Sequence, residues 1–469
     1  MFEYLVPAVL LTGAFVAACV LVFVGVGGLQ SARKFPDGLL QYYFYAIIFS
    51  NAFFVLLSTR DFTAAADATQ EATFTNPLVG WAIRLTSLFA LLASADQISR
   101  YFVRGRKLEG ARVLLGLCFI VFWLTNILVP FLFAPHKMPV QLNWSYSLVV
   151  GLGMIFMASH TGALSIRHCR NAIFIFCALS LLFIPIRPDL VLQFDYSQGY
   201  LPGVPRFAGL APHAIIMGMN AALGLWCLIA HPMHSRALNR VCWGIGLMSL
   251  ILAQSKTVWF SFLLTLPVML YCQHQLPSWG RLTASRHRSG LVLLGALVLA
   301  GIAVATGVLL FGNLGGWLDR FLGSQQGAQV LSFTGRDQIW AIALMEWERS
   351  PVFGYGLSLF DAAYRAQIGM TFAIHGHNQL IDSLGRTGIL GGIGTLLYSI
   401  GLLWLGIRFA RSSRGLSAAL ALSIAIRMVS EIPITLGNIG IDSLPYYLLL
   451  AVIAACMGKS NARAESTHA

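Results

Sequence analysis

Four short segments place Arg, Lys or His beside turn-forming residues: Pro205-Arg206-Phe-Ala-Gly209 with His213 close behind, Gln254-Ser255-Lys256-Thr257, Gly335-Arg336-Asp337, and His375-Gly-His377-Asn378. Arg grips phosphate oxygens through two parallel hydrogen bonds and Lys adds a point charge, so cations held at a leaflet boundary suit a phosphate-bearing lipid. Plainer readings stand beside this one. Arg206 also fits a side chain snorkelling from the head of a span, and Arg336 fits an ion pair with Asp337. Lys256 interrupts the apolar stretch 241–272 with no acidic neighbour. That puts it at the tip of a helical hairpin, where a lone cation points to function.

The two histidines admit three chemistries. A neutral imidazole can act as general base on an alcohol, and positive neighbours keep it neutral by lowering its pKa. A hydrogen-bonded structural role is the second. Metal ligation is the third, but zinc needs three or four N, S or O donors and no cysteine lies in this segment. No metal and no cofactor are therefore expected.

Those residues must be positioned by elements that the composition defines. Of 469 residues 57% are hydrophobic and only 10% charged, a balance that excludes a large soluble catalytic domain and makes the bilayer the main solvent. Apolar runs fall near 5–29, 39–58, 78–97, 111–133, 142–160, 171–187, 207–230, 241–254, 257–272, 291–311, 387–407, 416–434 and 443–457, or about 13 spans. The expected fold class is all-α, a polytopic integral membrane protein of about 12–13 transmembrane helices. Val16-Ala-Ala-Cys19 has the look of a lipoprotein cleavage box, yet the apolar run continues past it, and a membrane helix is the better reading. The eight cysteines sit in or beside apolar runs and read as buried thiols.

The net charge of +13 is topological. Arg33-Lys34, Arg100 to Arg112, Arg167 to Arg170, Arg236 to Arg240, Arg281 to Arg288, Arg408 to Arg414 and Lys459 to Arg463 hold about 19 basic residues and mark cytoplasmic connections, while most acids lie on the opposite ones. Nucleic acid is therefore not an expected partner; membrane lipids are. Within the spans, Arg84, Arg427 and Glu431 are the costly residues, and Arg427 and Glu431, one helical turn apart, are expected to neutralise each other.

One outer connection, Gly312 to Arg386, is far longer than the rest, and long ordered loops are commonly functional. Thr334 to Asp337 reads as a capping box, and Ile339, Trp340, Ile342, Ala343 and Trp347 recur at helical spacing until Ser350-Pro351. Phe353-Gly-Tyr355-Gly356 reads as a turn, and the segment after His375 opens another helix. These loop helices are expected to lie on the membrane surface. The chain divides into N-terminal transmembrane helices (1–200), helices bearing Arg206 and Lys256 (201–311), the outer loop (312–386), C-terminal transmembrane helices (387–458) and a cytoplasmic tail (459–469).

Taken in order, these motifs resemble the O-antigen ligase and Wzy-type polymerase superfamily over roughly residues 200–450. The resemblance is carried by Arg206-Phe-Ala-Gly-Leu-Ala-Pro-His213, by Ser255-Lys256-Thr257, by Gly335-Arg336-Asp337-Gln-Ile-Trp340 followed by Pro351-Val-Phe-Gly-Tyr355-Gly356, and by His377-Asn378-Gln-Leu-Ile-Asp-Ser-Leu-Gly385 leading to Gly388. It implies a metal-independent glycosyltransferase of the bacterial inner membrane that moves a glycan from an undecaprenyl-pyrophosphate-linked donor to a saccharide acceptor at the periplasmic face. It further implies that Arg336 and Lys256 bind the pyrophosphate, with Arg206 joining them, and that His377 activates the acceptor hydroxyl. His375, Asn378, Asp337, Trp340 and Tyr355 take supporting places. The family more often carries Arg where this chain has Lys256, so a point charge replaces a fork there. The acceptor is expected to be another lipid-linked repeat unit of an exopolysaccharide or O-antigen; the alternatives are ligation to lipid A core or protein and, more distantly, a lipid-linked sugar transporter.

Overall fold

The computed structural model describes residues 38–58, 77–103, 109–139, 143–194, 203–273, 336–370, 373–437 and 439–466, together with 60, 62, 141 and 201. The expected spans 5–29 and 291–311, the loop from Gly312 to Gly335 with its capping Thr334, and the basic segments Arg33-Lys34 and Arg281 to Arg288 lie outside these residues.

Hydrocarbon offers backbone groups no water, so spanning segments close their hydrogen bonds internally, as helices. The chain forms α1 (Tyr43–Leu57), α2 (Pro77–Val103), α3 (Gly110–Phe133), α4 (Asn143–Ile155), α5 (Ser159–Leu182), α6 (Ala214–Ala230), α7 (Arg236–Leu252), α8 (Lys256–Cys272), α9 (Arg336–Arg349), α10 (Ala362–Gln367), α11 (Gln379–Arg408), α12 (Leu416–Met428) and α13 (Leu444–Ser466). Among the described residues α2, α3, α5, α11 and α1 with its preceding 3-10 turn are long and apolar enough to cross a membrane. The all-α expectation holds, apart from a two-residue antiparallel pairing of β1 (Leu192–Gln193) with β2 (Arg206–Phe207). The seven described cysteines are free thiols.

The core lies on α6 and α13. Both are apolar on every side, and a helix of that kind is stable when protein surrounds it. Leu223, Leu225, Trp226 and the run Leu448 to Ile453 are fully buried. α5 packs on both, α7 packs on α6, and α8 packs on α12. Leu85 and Leu88 on α2 and Leu396, Leu397 and Ile400 on α11 point outward instead, as a lipid-facing belt does.

One sequence expectation is corrected here. Arg167 to Arg170 do not form a connection: the chain reverses earlier, at Phe156 to Ala158, and these residues lie within α5. Basic side chains at this end of the bundle cap carbonyls instead. Arg112 donates to the carbonyls of Ile155 and Met157, and Arg170 to those of His231 and Pro232. Helix ends leave such acceptors without intrahelical partners, which is why Arg is retained there.

At the opposite end α11 breaks at Gly388, which has φ 66° and ψ −164°. The carbonyls freed at Gly385 and Arg386 accept the N–H groups of Tyr355 and Gly356 at 2.8 and 3.0 Å, and Ile389 N–H donates to Pro351 at 2.8 Å. The Pro351 to Gly356 turn is thus docked into the break. A Cβ at Gly388 would stand 2.3 Å from the Val352 carbonyl oxygen. Gly388→Ala is expected to add roughly 1–3 kcal/mol of backbone strain plus that clash. Thermal unfolding in detergent reads the effect, and an unchanged midpoint would refute this account of the break.

Candidate active site

The His375-Gly376-His377 turn is held at each peptide group. Gly376 N–H donates to Asp382 Oδ1 at 2.7 Å, and its carbonyl accepts Trp340 Nε1–H at 2.8 Å. His377 N–H donates to His375 Nδ1 at 3.2 Å. A Cβ at Gly376 would meet Asp382 at 2.9 Å, so glycine is required there. These bonds hold His377 at φ 46°, the left-handed region that non-glycine residues rarely occupy. Such strain persists only where the surroundings impose it, and it gathers at functional sites.

The next two residues fasten a distant segment to this turn. Asn378 caps α11, its Oδ1 accepting from Leu380 and Ile381 N–H, while its Nδ2 donates to the Val429 carbonyl. Gln379 exchanges two hydrogen bonds with the Ile434 backbone. Between these anchors stands Glu431. Its Oε2 lies 3.4 Å from His377 Nδ1 and 3.9 Å from His375 Nε2, and its Oε1 accepts from Arg336 Nη2 at 3.1 Å.

Burial alone would raise the Glu431 carboxyl, but the adjacent His377, with His375 and Arg336 behind it, holds it below its usual value; the 3.4 Å approach of His377 Nδ1 is a close contact rather than a formed hydrogen bond. His375 is pushed down to about 4, chiefly by burial and then by its neighbour His377. It is therefore neutral at neutral pH, and because its Nδ1 accepts, its proton sits on Nε2. His377 turns Nδ1 to the carboxylate, which leaves Nε2 for another partner. The arrangement can accept a proton from a hydroxyl.

His213 caps α6 by accepting Ile215 N–H at 3.3 Å. It is exposed at the surface, yet the crowding of protein around its ring, then Arg206 and Arg60, push it below its ordinary value, with Glu431 opposing. His213 thus stands within electrostatic reach of both Arg206 and Glu431. Arg206 is itself only 5% exposed, and its Nε donates to the Ala253 carbonyl at 3.1 Å. Gln254, at φ 47°, donates to the Val204 carbonyl. Both ties fix the tip between α7 and α8, where Lys256 opens α8 with an exposed side chain.

α8 and α12 run antiparallel. Gly415, which precedes α12, meets Met269 near the far end of α8. From that level, equal runs of residues climb about 20 Å to Lys256 and to Met428, at 1.5 Å per residue. On ideal helical geometry the tip carrying Lys256 therefore comes to the same end of the bundle as the end of α12.

The structure brings Arg336, His375, His377, Asn378 and Trp340 together, and with them Glu431. It does not place Asp337 on Arg336; Asp337 is exposed on the first turn of α9. Tyr355 stacks on His136 at 3.8 Å and meets Tyr364 edge-on. The expected Arg427–Glu431 spacing of one helical turn holds, Glu431 N–H donating to the Arg427 carbonyl at 2.7 Å and its charge acting on Arg427, but no direct ion pair forms among the described residues: the carboxylate turns to Arg336 and the histidines, and buried Arg427 Nη1 has no hydrogen-bond partner there. Pro433 restricts only Ile432, so Glu431 keeps that backbone bond, and its side chain is turned away by the partners that long-range packing brings to it.

Residues 241–396 match the family model described as O-antigen ligase. No curated protein matches the chain significantly. The match supports the O-antigen ligase and Wzy-type superfamily, on a shorter span than the motifs suggested. The matched segment contains Lys256, Arg336, His375, His377, Asn378 and Gly388, whereas Arg206, His213 and Glu431 lie outside it. With the helices long and apolar enough to cross a membrane, the match supports a multi-pass membrane protein that is similar, over this segment, to ligases and polymerases of that superfamily.

His375, His377 and Glu431 also present three metal-ligating atoms within 4.8 Å of one another, the number a catalytic zinc site uses. The third donor is one the sequence reading did not supply. Two features oppose a cation: Arg336 already holds Glu431 Oε1, and His375 Nδ1 is engaged by a backbone N–H.

The lowered His375 gives a pH prediction. Unfolded histidine titrates near 6.5 and folded His375 near 4, so between these values the unfolded chain binds a proton that the folded chain refuses. Stability is expected to be full above about pH 6.5 and to fall as pH drops toward 4. Melting curves across that window check it, and a His375→Gln variant should show a shallower decline.

Proposed function

We propose that this protein transfers a glycan from undecaprenyl pyrophosphate to an acceptor hydroxyl at the periplasmic face of the bacterial inner membrane, without a metal. The observation that carries the reading is the His377–Glu431 contact at 3.4 Å beside Arg336, which frees His377 Nε2 on a cationic wall. In the proposed step His377 Nε2 takes the acceptor proton, the hydroxyl oxygen bonds to the anomeric carbon, and the bond from that carbon to the pyrophosphate oxygen breaks. Arg336 retains N–H donors beyond the one on Glu431 and grips the departing phosphate, with Lys256 adding charge. Fixed cations of this kind contribute about 3–4 kcal/mol to comparable transition states. Arg206, being buried, sets the tip that presents Lys256.

The acceptor in this reading is a second lipid-linked repeat unit, which makes the protein a polymerase of an exopolysaccharide or O-antigen. The description of the matched family favours a second reading, ligation to lipid A core. Purified protein given lipid-linked repeat units alone distinguishes them. Lengthening chains with release of undecaprenyl pyrophosphate supports a polymerase, and transfer only after lipid A core is added supports a ligase. If the donor is never cleaved but crosses the bilayer intact, the protein is a transporter and the proposal fails.

A further inference from the structure

A cavity of about 310 Å³ opens beside the first turns of α11, on the flank formed by α3, the start of α4 and the segment after Glu431. That volume is within the usual range for small-molecule sites. Its lining is mixed: Trp144 and Phe122 supply aromatic surface, and Asn126, Gln141, Ser383 and Thr435 supply amides and hydroxyls. A π-helical turn, Leu124–Leu128, brings Asn126 here; its Oδ1 accepts from Ser383 Oγ at 2.7 Å. π-turns are rare and frequently mark functional sites.

Two polar groups on the wall are poorly satisfied. Thr435 Oγ1 is buried without a hydrogen-bond partner among the described residues, and the Gln141 amide rests on Met138 Sδ, a weak acceptor, at 3.8 Å. Leaving a buried hydroxyl unpaired costs about 1–3 kcal/mol, so such groups ask for a ligand that supplies the bond. The cavity's charge is internally balanced, since Arg386 Nε lies 2.9 Å from Asp382 Oδ2. A phosphate would find no free cation on this wall.

We infer that this cavity is a saccharide subsite for the acceptor, neutral and hydroxyl-rich, on the flank of α11 that faces α3 and the start of α4. The inference rests on the glycan-transfer reading for the word acceptor, though the binding chemistry stands without it. Aromatic surface packs against the C–H face of a sugar ring, and the amides and hydroxyls meet its hydroxyl groups. Gln379, which lines the cavity, also clamps Ile434, so an occupant would lie against the segment that carries Glu431.

The test uses full-length protein in detergent and, as probe, the oligosaccharide released by mild acid from the host's lipid-linked repeat units. Binding is followed by saturation-transfer NMR for wild type, Thr435→Val and the cavity-filling Met138→Trp, with melting temperatures alongside. Thr435→Val should weaken the oligosaccharide about three- to tenfold, the loss of one neutral hydrogen bond. Met138→Trp should abolish binding, and in the transfer assay both variants should raise the acceptor KM with the donor KM unchanged. Unchanged oligosaccharide affinity in well-folded variants overturns the inference. So does a phospholipid that co-purifies with wild type, is lost from Met138→Trp, and is not displaced by the oligosaccharide. Mutation-sensitive binding in a wild-type protein that never cleaves donor would leave this subsite standing and sink the transferase reading alone.

Discussion

Alanine at His377 is expected to lower turnover by about 10²–10⁴-fold, the usual contribution of a general base, the role proposed for it, while donor binding stays close to that of wild type. The magnitude follows from the geometry. Only Nε2 of this ring is free of the Glu431 contact, and the ring is held by a strained backbone that alanine leaves in place. Glu431→Gln is expected to fall between wild type and His377→Ala, because it keeps the shape but loses the charge that orients Nδ1–H. His375→Ala should cost less than His377→Ala. Purified protein assayed with lipid-linked donor, with and without EDTA, separates the possible roles. Full activity of His377→Ala would remove the base assignment. Turnover lost to EDTA and restored by zinc or magnesium would show instead that His375, His377 and Glu431 hold a cation.

Alanine at Arg336 is expected to abolish detectable transfer in protein that still inserts and melts normally. Two functions are lost together: the fork toward phosphate oxygens and the counter-charge 3.1 Å from Glu431. Arg336→Lys should recover little, since a point charge cannot make both contacts. Lys256 should behave in the opposite order, with Lys256→Arg active and Lys256→Ala not, because an exposed cation at a helix tip needs charge more than shape. Steady-state transfer with the four variants reads this directly. Equal tolerance of alanine at both positions would mean that these residues only anchor the protein at the interface.

A good part of the site was legible from residue types. The apolar runs gave the helices, the interruption at Lys256 gave the tip between α7 and α8, and the spacing from Ile339 to Trp347 gave α9. What each motif does locally was less legible. Asn378 and Gln379 read as the opening of a helix, but their side chains fasten the segment on either side of Glu431. α10 went unread because it is a single short helix capped by Asp361.

By itself the sequence determined that this is a membrane-embedded helical protein with cations and a histidine pair in polar segments, because hydropathy, charge and proline or glycine punctuation are local properties. Partner choice is not local. Arg336 meets a carboxylate 95 residues away rather than its neighbour Asp337, and the Glu431 carboxylate turns to Arg336 and the histidines although its backbone N–H still bonds the Arg427 carbonyl. Arg206 became a buried tie to Ala253 through a two-residue strand pairing too short to leave a pattern. Periodicity says which face of a helix is apolar, but only packing among many helices decides which charged side chains share the space where those faces end.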